Sequence, residues 1–289
     1  MNNMLLKLIG VFSICLCGHV WAQDAWPTRP IRIVVPTAAG IAPDIFARLY
    51  ANELTKIYKV PVTVDNKPGA AAILGVDSVL KSAADGHTLL YAFNAPFTMN
   101  PHLYSKLPYD AEKDMMPITQ NLKGSYFIVT SVNSPFKTLK ELIEFARSNP
   151  GKVSFASAGT GGTAHLGMEM FKALSKTDVL HVPYKGSAGA MLDLIGGSVA
   201  YSFDTTTGTL PHIKAEKLRP IAVAAASRIA ALPDVPTTAE QGFPSVVMST
   251  WYGLSGPAGM PPAVTQKWRD DAAAVLKLSD VQEKFAQVA

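Results

Sequence analysis

The chain has 289 residues, 48% hydrophobic and 17% charged, with 21 Gly and 21 Pro. That composition excludes a disordered protein, a coiled coil and collagen, and at roughly 150 residues per domain the length accommodates two lobes. The formal charge of +4, from 26 basic and 22 acidic residues, comes with no Lys/Arg-rich run, so no nucleic-acid partner is expected.

Residues 1–22 read as a secretory signal: Lys7, an apolar stretch from Leu8 to Val20, then Val20-Trp21-Ala22 with cleavage after Ala22. The stretch is shorter than the about 20 residues of a comfortable membrane span, which leaves an uncleaved anchor as the alternative. Lipidation is disfavoured because neither Cys15 nor Cys17 follows a small residue. Both cysteines fall in this segment, so the mature chain has no thiolate nucleophile, Cys-bound zinc or disulfide. A soluble, exported protein of the bacterial periplasm is expected.

Strand and helix then alternate. Ile31 to Val35 is a β-branched run ended by Pro36. Asp44 is expected to cap a helix with Phe46, Leu49, Tyr50, Leu54 and Ile57 on its apolar face. Val60 to Val64 reads as a strand, Asn66 to Gly69 as a turn and Ile73 to Lys81 as a helix. Asp85-Gly86 is a second turn before the strand Thr88 to Phe93. The β-α-β-α-β order predicts a mostly parallel, doubly wound sheet.

The middle of the chain repeats this order. Phe127 to Val132 is a predicted strand, and Thr138-Leu139-Lys140-Glu141 is a capping box opening a helix with Leu139, Leu142, Ile143 and Ala146 on one face. Val153 to Ala156 is a strand, and Leu166, Met170 and Leu174 stripe the next helix. Val179 to Val182 is a strand, with Ala188, Met191, Leu192 and Ile195 striping the helix after it. Val199 to Phe203 and Ile221 to Ala225 add two more strands. These stripes predict core contacts only.

Open parallel sheets place their cleft beyond the carboxyl ends of the strands, so the loops there are the candidate site. The most informative runs from Ser157 to Leu166 and leads from a strand into a helix. Gly159 and Gly161 let the backbone approach a ligand. First-turn amides and the helix dipole favour an anion, with hydroxyls from Ser157, Thr160 and Thr163. The same residues match G-x-G-x-x-A, but the acidic residue that a dinucleotide site needs after the next strand is missing. A tight turn with no ligand is the third reading. Thr37 to Asp44 follows the first strand, where Asp44 reads foremost as a helix cap. Asn94 to Asn100 and Asp204 to Gly208 follow two others.

Catalytic patterns are weak. Ser78-Val79-Leu80-Lys81 and Ser134-Pro135-Phe136-Lys137 both fit S-x-x-K, yet S-D-N, K-T-G and G-x-S-x-G are all missing. The histidines lack metal-ligand spacing, and His165 reads as a hydrogen-bonded wall residue. No metal, no cofactor and no catalysis are expected.

An ordered series of segments resembles the Bug (TctC-like) family of extracytoplasmic solute-binding proteins, which serve tripartite tricarboxylate transporters. It includes Trp26-Pro27-Thr28-Arg29-Pro30-Ile31, Asn66-Lys67-Pro68-Gly69-Ala70, Asp85-Gly86-His87-Thr88-Leu89-Leu90 and Leu107-Pro108-Tyr109-Asp110. It continues through Ala156-Ser157-Ala158-Gly159, His181-Val182-Pro183-Tyr184-Lys185-Gly186, Leu210-Pro211-His212-Ile213-Lys214 and Leu232-Pro233-Asp234-Val235-Pro236-Thr237.

The resemblance implies a two-lobed periplasmic-binding-protein (venus-flytrap) architecture without catalysis, each lobe an α/β sheet with flanking helices. Small carboxylates are the implied ligands: di- and tricarboxylates, amino acids and aromatic acids. It also implies a membrane permease as partner, and a monomer is expected. The family holds a carboxylate through the loop after the first strand, often by bridging waters, and through the loop matching Ser157 to His165. That first loop usually reads phenylalanine, alanine, proline, then two glycines, whereas here it is Thr37-Ala38-Ala39-Gly40-Ile41, with a β-branched side chain at Ile41. Family members usually continue past the position of Ala289 by about one long helix, so a shortened C-terminal helix is expected.

The expected organisation is a signal at 1–22, a first lobe from 23–124 and 251–289, and a second lobe from 125–250, with crossings near Leu122 to Tyr126 and Ser249 to Gly253. The expected ligand-binding residues are Thr37, Ala39, Gly40, Ile41, Asp44, Asn94, Ser157, Gly159, Thr160, Gly161, Thr163, His165, Tyr184, Lys185 and Asp204. The rivals are an exported α/β enzyme, a hydrolase or orphan dehydrogenase, and an orphan receptor feeding a sensor.

Overall fold

A computed structural model of the chain describes residues 26–288; the expected signal and both cysteines lie outside the described residues. The first unit is β1 (Ile31–Val35), α1 (Ala42–Tyr58), β2 (Val62–Asn66), α2 (Ile73–Leu80) and β3 (Thr88–Phe93). Two short helical turns, α3 (Ala95–Thr98) and α4 (Asn100–Leu103), lead to a long strand, β4 (Met115–Ser131). The second unit is α5 (Leu139–Ser148), β5 (Ser154–Ser157), α6 (Thr163–Ser175), β6 (Leu180–Pro183), α7 (Ser187–Ile195), β7 (Tyr201–Thr205), α8 (Thr206–Lys214) and β8 (Leu218–Val223). The chain then returns through β9 (Ser249–Pro257), α9 (Pro262–Leu276) and α10 (Ser279–Val288).

The strand order is β2-β1-β3-β9-β4-β7-β5-β6, with β8 also on β4. Within each unit the strands joined by helical crossovers pair in parallel: β1 with β2 and β3, and β5 with β6 and β7. The antiparallel pairs are those made by the crossing strands. Met115 to Ser125 of β4 pairs with β9, and Tyr126 to Ser131 pairs with β7 and β8. β4 therefore changes partners between Ser125 and Tyr126.

Each side of this switch has its own core. Phe46, Tyr50, Tyr91, Leu254 and Trp268 are fully or nearly fully buried around the first unit; Phe155, Met168, Phe171, Tyr201 and Phe203 play that part in the second. Phe285 of α10 packs on Phe46 with ring centroids 4.7 Å apart. The capping box forms as expected: Glu141 N–H donates to Thr138 Oγ1 at 3.2 Å, and Thr138 N–H donates to Glu141 Oε2 at 3.1 Å.

Three local expectations are corrected. The N-cap of α1 is Ile41, and Asp44 sits in the first turn, where its Oδ2 accepts from Gly40 N–H at 2.8 Å. The carboxylate reaches back to the loop because Pro43 already fills the first turn and Arg48, one turn on, holds it at 2.9 Å. In α6 the buried face is Ala164, Gly167, Met168, Phe171 and Ser175, while Leu174 is 47% exposed. The helix approaches β7 so closely that only a glycine fits: a Cβ on Gly167 would lie 2.7 Å from Phe203 Cε1. In α7 the buried residues are Ala190, Met191 and Leu194, and Leu192 is 69% exposed. Ala188 of the expected stripe faces the cavity described next.

Candidate functional site

A cavity of about 530 Å³ lies where the loops after β1, β3, β5 and β7 converge on the partner switch of β4. Thr37, Gly40 and Ile41 line it from the first loop; Gly159, Thr160, Gly161 and Thr163 line it from the glycine-rich loop, and Asp204 from the end of β7. The segments that the strand-end rule singled out are thus brought to one place.

The first loop is fixed from behind. Besides holding Asp44, Arg48 donates to Asn66 Oδ1 at 3.0 Å, and Asn66 Nδ2 donates to Thr37 O at 3.2 Å. Burial pushes the Asp44 carboxyl up, but hydrogen bonds from Arg48, Gly40 and Asn66 outweigh it and leave its pKa below the ordinary carboxylate value. Asp44 is therefore an ionised anchor for the loop rather than part of the cavity wall.

The glycine-rich loop is braced by a stack of rings. His165 and His181 stack with centroids 4.0 Å apart, and His181 stacks on Phe155 at 4.7 Å. Gly161 N–H donates to His165 Nδ1 at 3.1 Å, which requires the tautomer protonated on Nε2. Burial, then the neighbouring His165, holds the His181 pKa below that of an ordinary imidazole. Ser157 Oγ lies 2.7 Å from His181 Nε2, a nucleophile–base distance that the sequence spacing did not disclose. Yet Ser157 is completely buried and stands off the cavity wall, and its hydroxyl also bonds the Gly159 carbonyl at 3.2 Å. The pair props the loop from beneath.

Beyond that loop α6 begins at Thr163, with Gly162 as its N-cap and no side-chain cap. Gly161, Gly162, Thr163 and Ala164 all line the cavity, so the uncapped first turn faces it. Orphan N–H groups and the positive end of the helix dipole make that turn a seat for an anion. Gly161 adopts φ +76°, a left-handed backbone that a side chain would strain, and a Cβ there would lie 3.6 Å from Leu103 Cδ1 of α4.

Other expected residues stand behind the wall. Asn94 Nδ2 donates to Thr163 Oγ1 at 3.1 Å. Tyr184 Oη donates to Asp193. Ala39 and Lys185 are exposed at the surface, and neither lines the cavity.

Sequence reasoning passed over several wall residues. Tyr126, Thr250 and Tyr252 come from the partner switch of the crossing strands, and Phe93 and Ile45 add apolar surface. Burial pushes the Tyr252 phenol up to about 12 and the Tyr126 phenol higher still, so both remain neutral donors. Ser187 lines the cavity at the start of α7. The strand-end rule applied to β6 would have found it; the strand residues carry no turn chemistry and gave no such signal. Among the described residues, the wall contains no Lys or Arg; His212 is its one basic side chain and Asp204 its one acidic.

A family model described as "Tripartite tricarboxylate transporter family receptor", TctC, matches residues 46–288. Protein BugT of Bordetella pertussis is 34% identical over 285 residues, covering 98% of this chain and 87% of its own. The periplasmic binding protein BugD superimposes with a TM-score of 0.82 at 33% identity, covering 91% of this chain and 88% of its own. Rpa4515 of R. palustris, solved with adipate, gives a TM-score of 0.85 at 30% identity, over 91% and 88% of the two chains. MatC of Rhodopseudomonas palustris, solved with bound malate, gives 0.82 at 29% identity, over 91% and 90%.

Proposed function

This chain belongs to the tripartite tricarboxylate transporter receptor family, TctC, and from that premise we propose that it is a periplasmic receptor that captures a small carboxylate between two lobes and presents it to a transporter permease. The lobes would be 23–124 with 251–289, and 125–250, with the secretory signal cleaved after Ala22. The observation that carries the reading is the uncapped first turn of α6, which faces the cavity beside the hydroxyls of Thr160 and Thr163.

Charge-assisted hydrogen bonds to such a turn contribute about 1.5–3 kcal/mol each. A few of them, less the cost of association, are compatible with micromolar capture. Adipate in Rpa4515 and malate in MatC support a carboxylate as the ligand class here. The protein would bind and release without chemistry: Ser157 and His181 brace the loop from behind the wall, and the wall hydroxyl of Ser187 donates to Asp204, a carboxyl already shared with Thr205. Ligand that contacts both lobes would shift an open form to a closed one, and the permease would recognise the closed form.

The test is a thermal-shift screen of the mature protein against a panel of carboxylates, in which a bound acid raises the melting temperature by mass action. Gly161→Asp, which puts a like charge at the seat, should abolish the shift. The reading fails if NADH or an ester stabilises the protein and no carboxylate does, or if Gly161→Asp leaves affinity unchanged.

A further inference from the structure

Besides the anion seat, the cavity wall holds a carboxyl that the proposed capture leaves without a task. Asp204 is 2% exposed, and it lines the cavity at the end of β7. Its Oδ1 is well supplied: it accepts from Thr205 N–H at 2.7 Å, from Ser187 Oγ at 2.9 Å and from Thr205 Oγ1 at 3.3 Å. Its Oδ2 has no partner at all. Burial raises the carboxyl pKa by more than those three hydrogen bonds lower it, the state of an acid that lacks a donor on its second oxygen.

Among the described residues the wall carries neither Lys nor Arg, and its one basic side chain, His212, makes no hydrogen bond to that oxygen. The neighbours are instead the phenols of Tyr126 and Tyr252, both of which feel the Asp204 charge. Tyr126 also measures the span to the seat. It is the strand partner of Thr205, the residue after Asp204, and its phenol adjoins the side chain of Thr163 in the first turn of α6. One small molecule beside Tyr126 can therefore address both ends.

We propose that Asp204 is the specificity-determining residue of the cleft: its Oδ2 accepts a hydrogen bond from an ammonium or hydroxyl group on an organic acid whose carboxylate occupies the first turn of α6. The cleft then selects amino or hydroxy acids over bare acids of the same size. This rests on the carboxylate reading of the cavity and adds to it the second group that the ligand must carry. The selectivity comes from an unpaired buried acceptor, which penalises a ligand that leaves it unpaired.

The experiment is calorimetric titration of the mature protein with matched sets: succinate, malate and aspartate, and benzoate, 4-hydroxybenzoate and 4-aminomethylbenzoate. Within a set, a donor-bearing acid should bind at least tenfold tighter than the bare acid, and Asp204→Asn should remove most of that preference. Preference for the ammonium member assigns a cationic donor; preference for the hydroxyl member assigns a neutral one. The proposal is overturned if bare and donor-bearing acids bind alike, or if Asp204→Asn weakens every acid equally, which would make Asp204 a loop support only. Should acids bind, lose affinity in Gly161→Asp and still show no donor preference, the Asp204 assignment alone falls. If no acid in either set binds, the capture reading falls with it. Thermal unfolding of Asp204→Asn confirms that the variant compared is folded.

Discussion

Asn94 Nδ2 donates to Thr163 Oγ1 at 3.1 Å, a buried hydrogen bond that ties the end of β3 to the first turn of α6. The same amide accepts from Thr250 Oγ1 at 3.4 Å, so one side chain joins both units and a crossing strand beside the anion seat. Removing it leaves buried polar partners unmatched, at a cost of about 1–3 kcal/mol. Asn94→Ala should therefore unfold at lower urea concentration. Its ligand-free form should also show a larger radius of gyration in solution scattering. A variant with wild-type midpoint and radius would show that this contact does not hold the two units together.

The close approach of α6 to β7 is set by Gly167. A Cβ there meets Phe203 Cε1 at 2.7 Å and Met248 Cε at 3.0 Å. Gly167→Val should destabilise the protein by about 1–3 kcal/mol through overpacking, whereas Leu174→Glu on the exposed side of the same helix should change stability by about 0.5 kcal/mol or less. Chemical denaturation of the two variants checks the assignment of the buried face. Equal losses would mean that the face is wrong.

Three consecutive alanines, Ala70 to Ala72, have φ of +46°, +52° and +75°, a left-handed run that side chains disfavour. It is held by Asn100, whose Nδ2 donates to Ala71 O at 2.9 Å and also bonds Tyr109 Oη at 3.3 Å. Ala71→Gly relieves strain of about 1–2 kcal/mol, offset by the greater freedom of the unfolded chain. The variant should be as stable as the wild type or more so, while Asn100→Ala should be less stable. Opposite signs in thermal unfolding confirm strain held by a side chain; a clear loss in Ala71→Gly contradicts it.

The ring stack predicts an acid-side weakness. His181 has its pKa lowered by burial and by His165, so the folded state binds fewer protons there than the unfolded chain does. Stability therefore rises with pH through this window. The contribution is fully present above the ordinary imidazole value of 6.5 and is lost as pH falls through the lower folded-state value. The melting temperature should drop as the medium is acidified below that point, and His181→Gln should flatten the drop. An identical pH profile in the variant would assign the effect elsewhere.

Local chemistry was legible in the chain because it depends on neighbours in sequence. β1 and β3 fall on the expected residues, and the Thr138–Glu141 box forms as spelled. The strand-end loops that the alternation singled out do meet at one cavity. Helix faces were less legible. Leu174 and Leu192 are apolar and correctly spaced, yet they are exposed because their helices turn other faces inward, Gly167, Met168 and Phe171 in one and Ala190, Met191 and Leu194 in the other.

What the sequence by itself determined, then, was the order of strands and helices, the places where the backbone turns, and the family that the segments resemble. All of these follow from residues a few positions apart or from their order along the chain. Only the tertiary structure decided that Asp44 serves the loop from behind, that His181 lies under Ser157, and that Asp204 keeps one oxygen without a donor. Hydrogen bonding and burial are properties of groups in space, and the pairs involved are brought together by the sheet order and by the partner switch of one long strand.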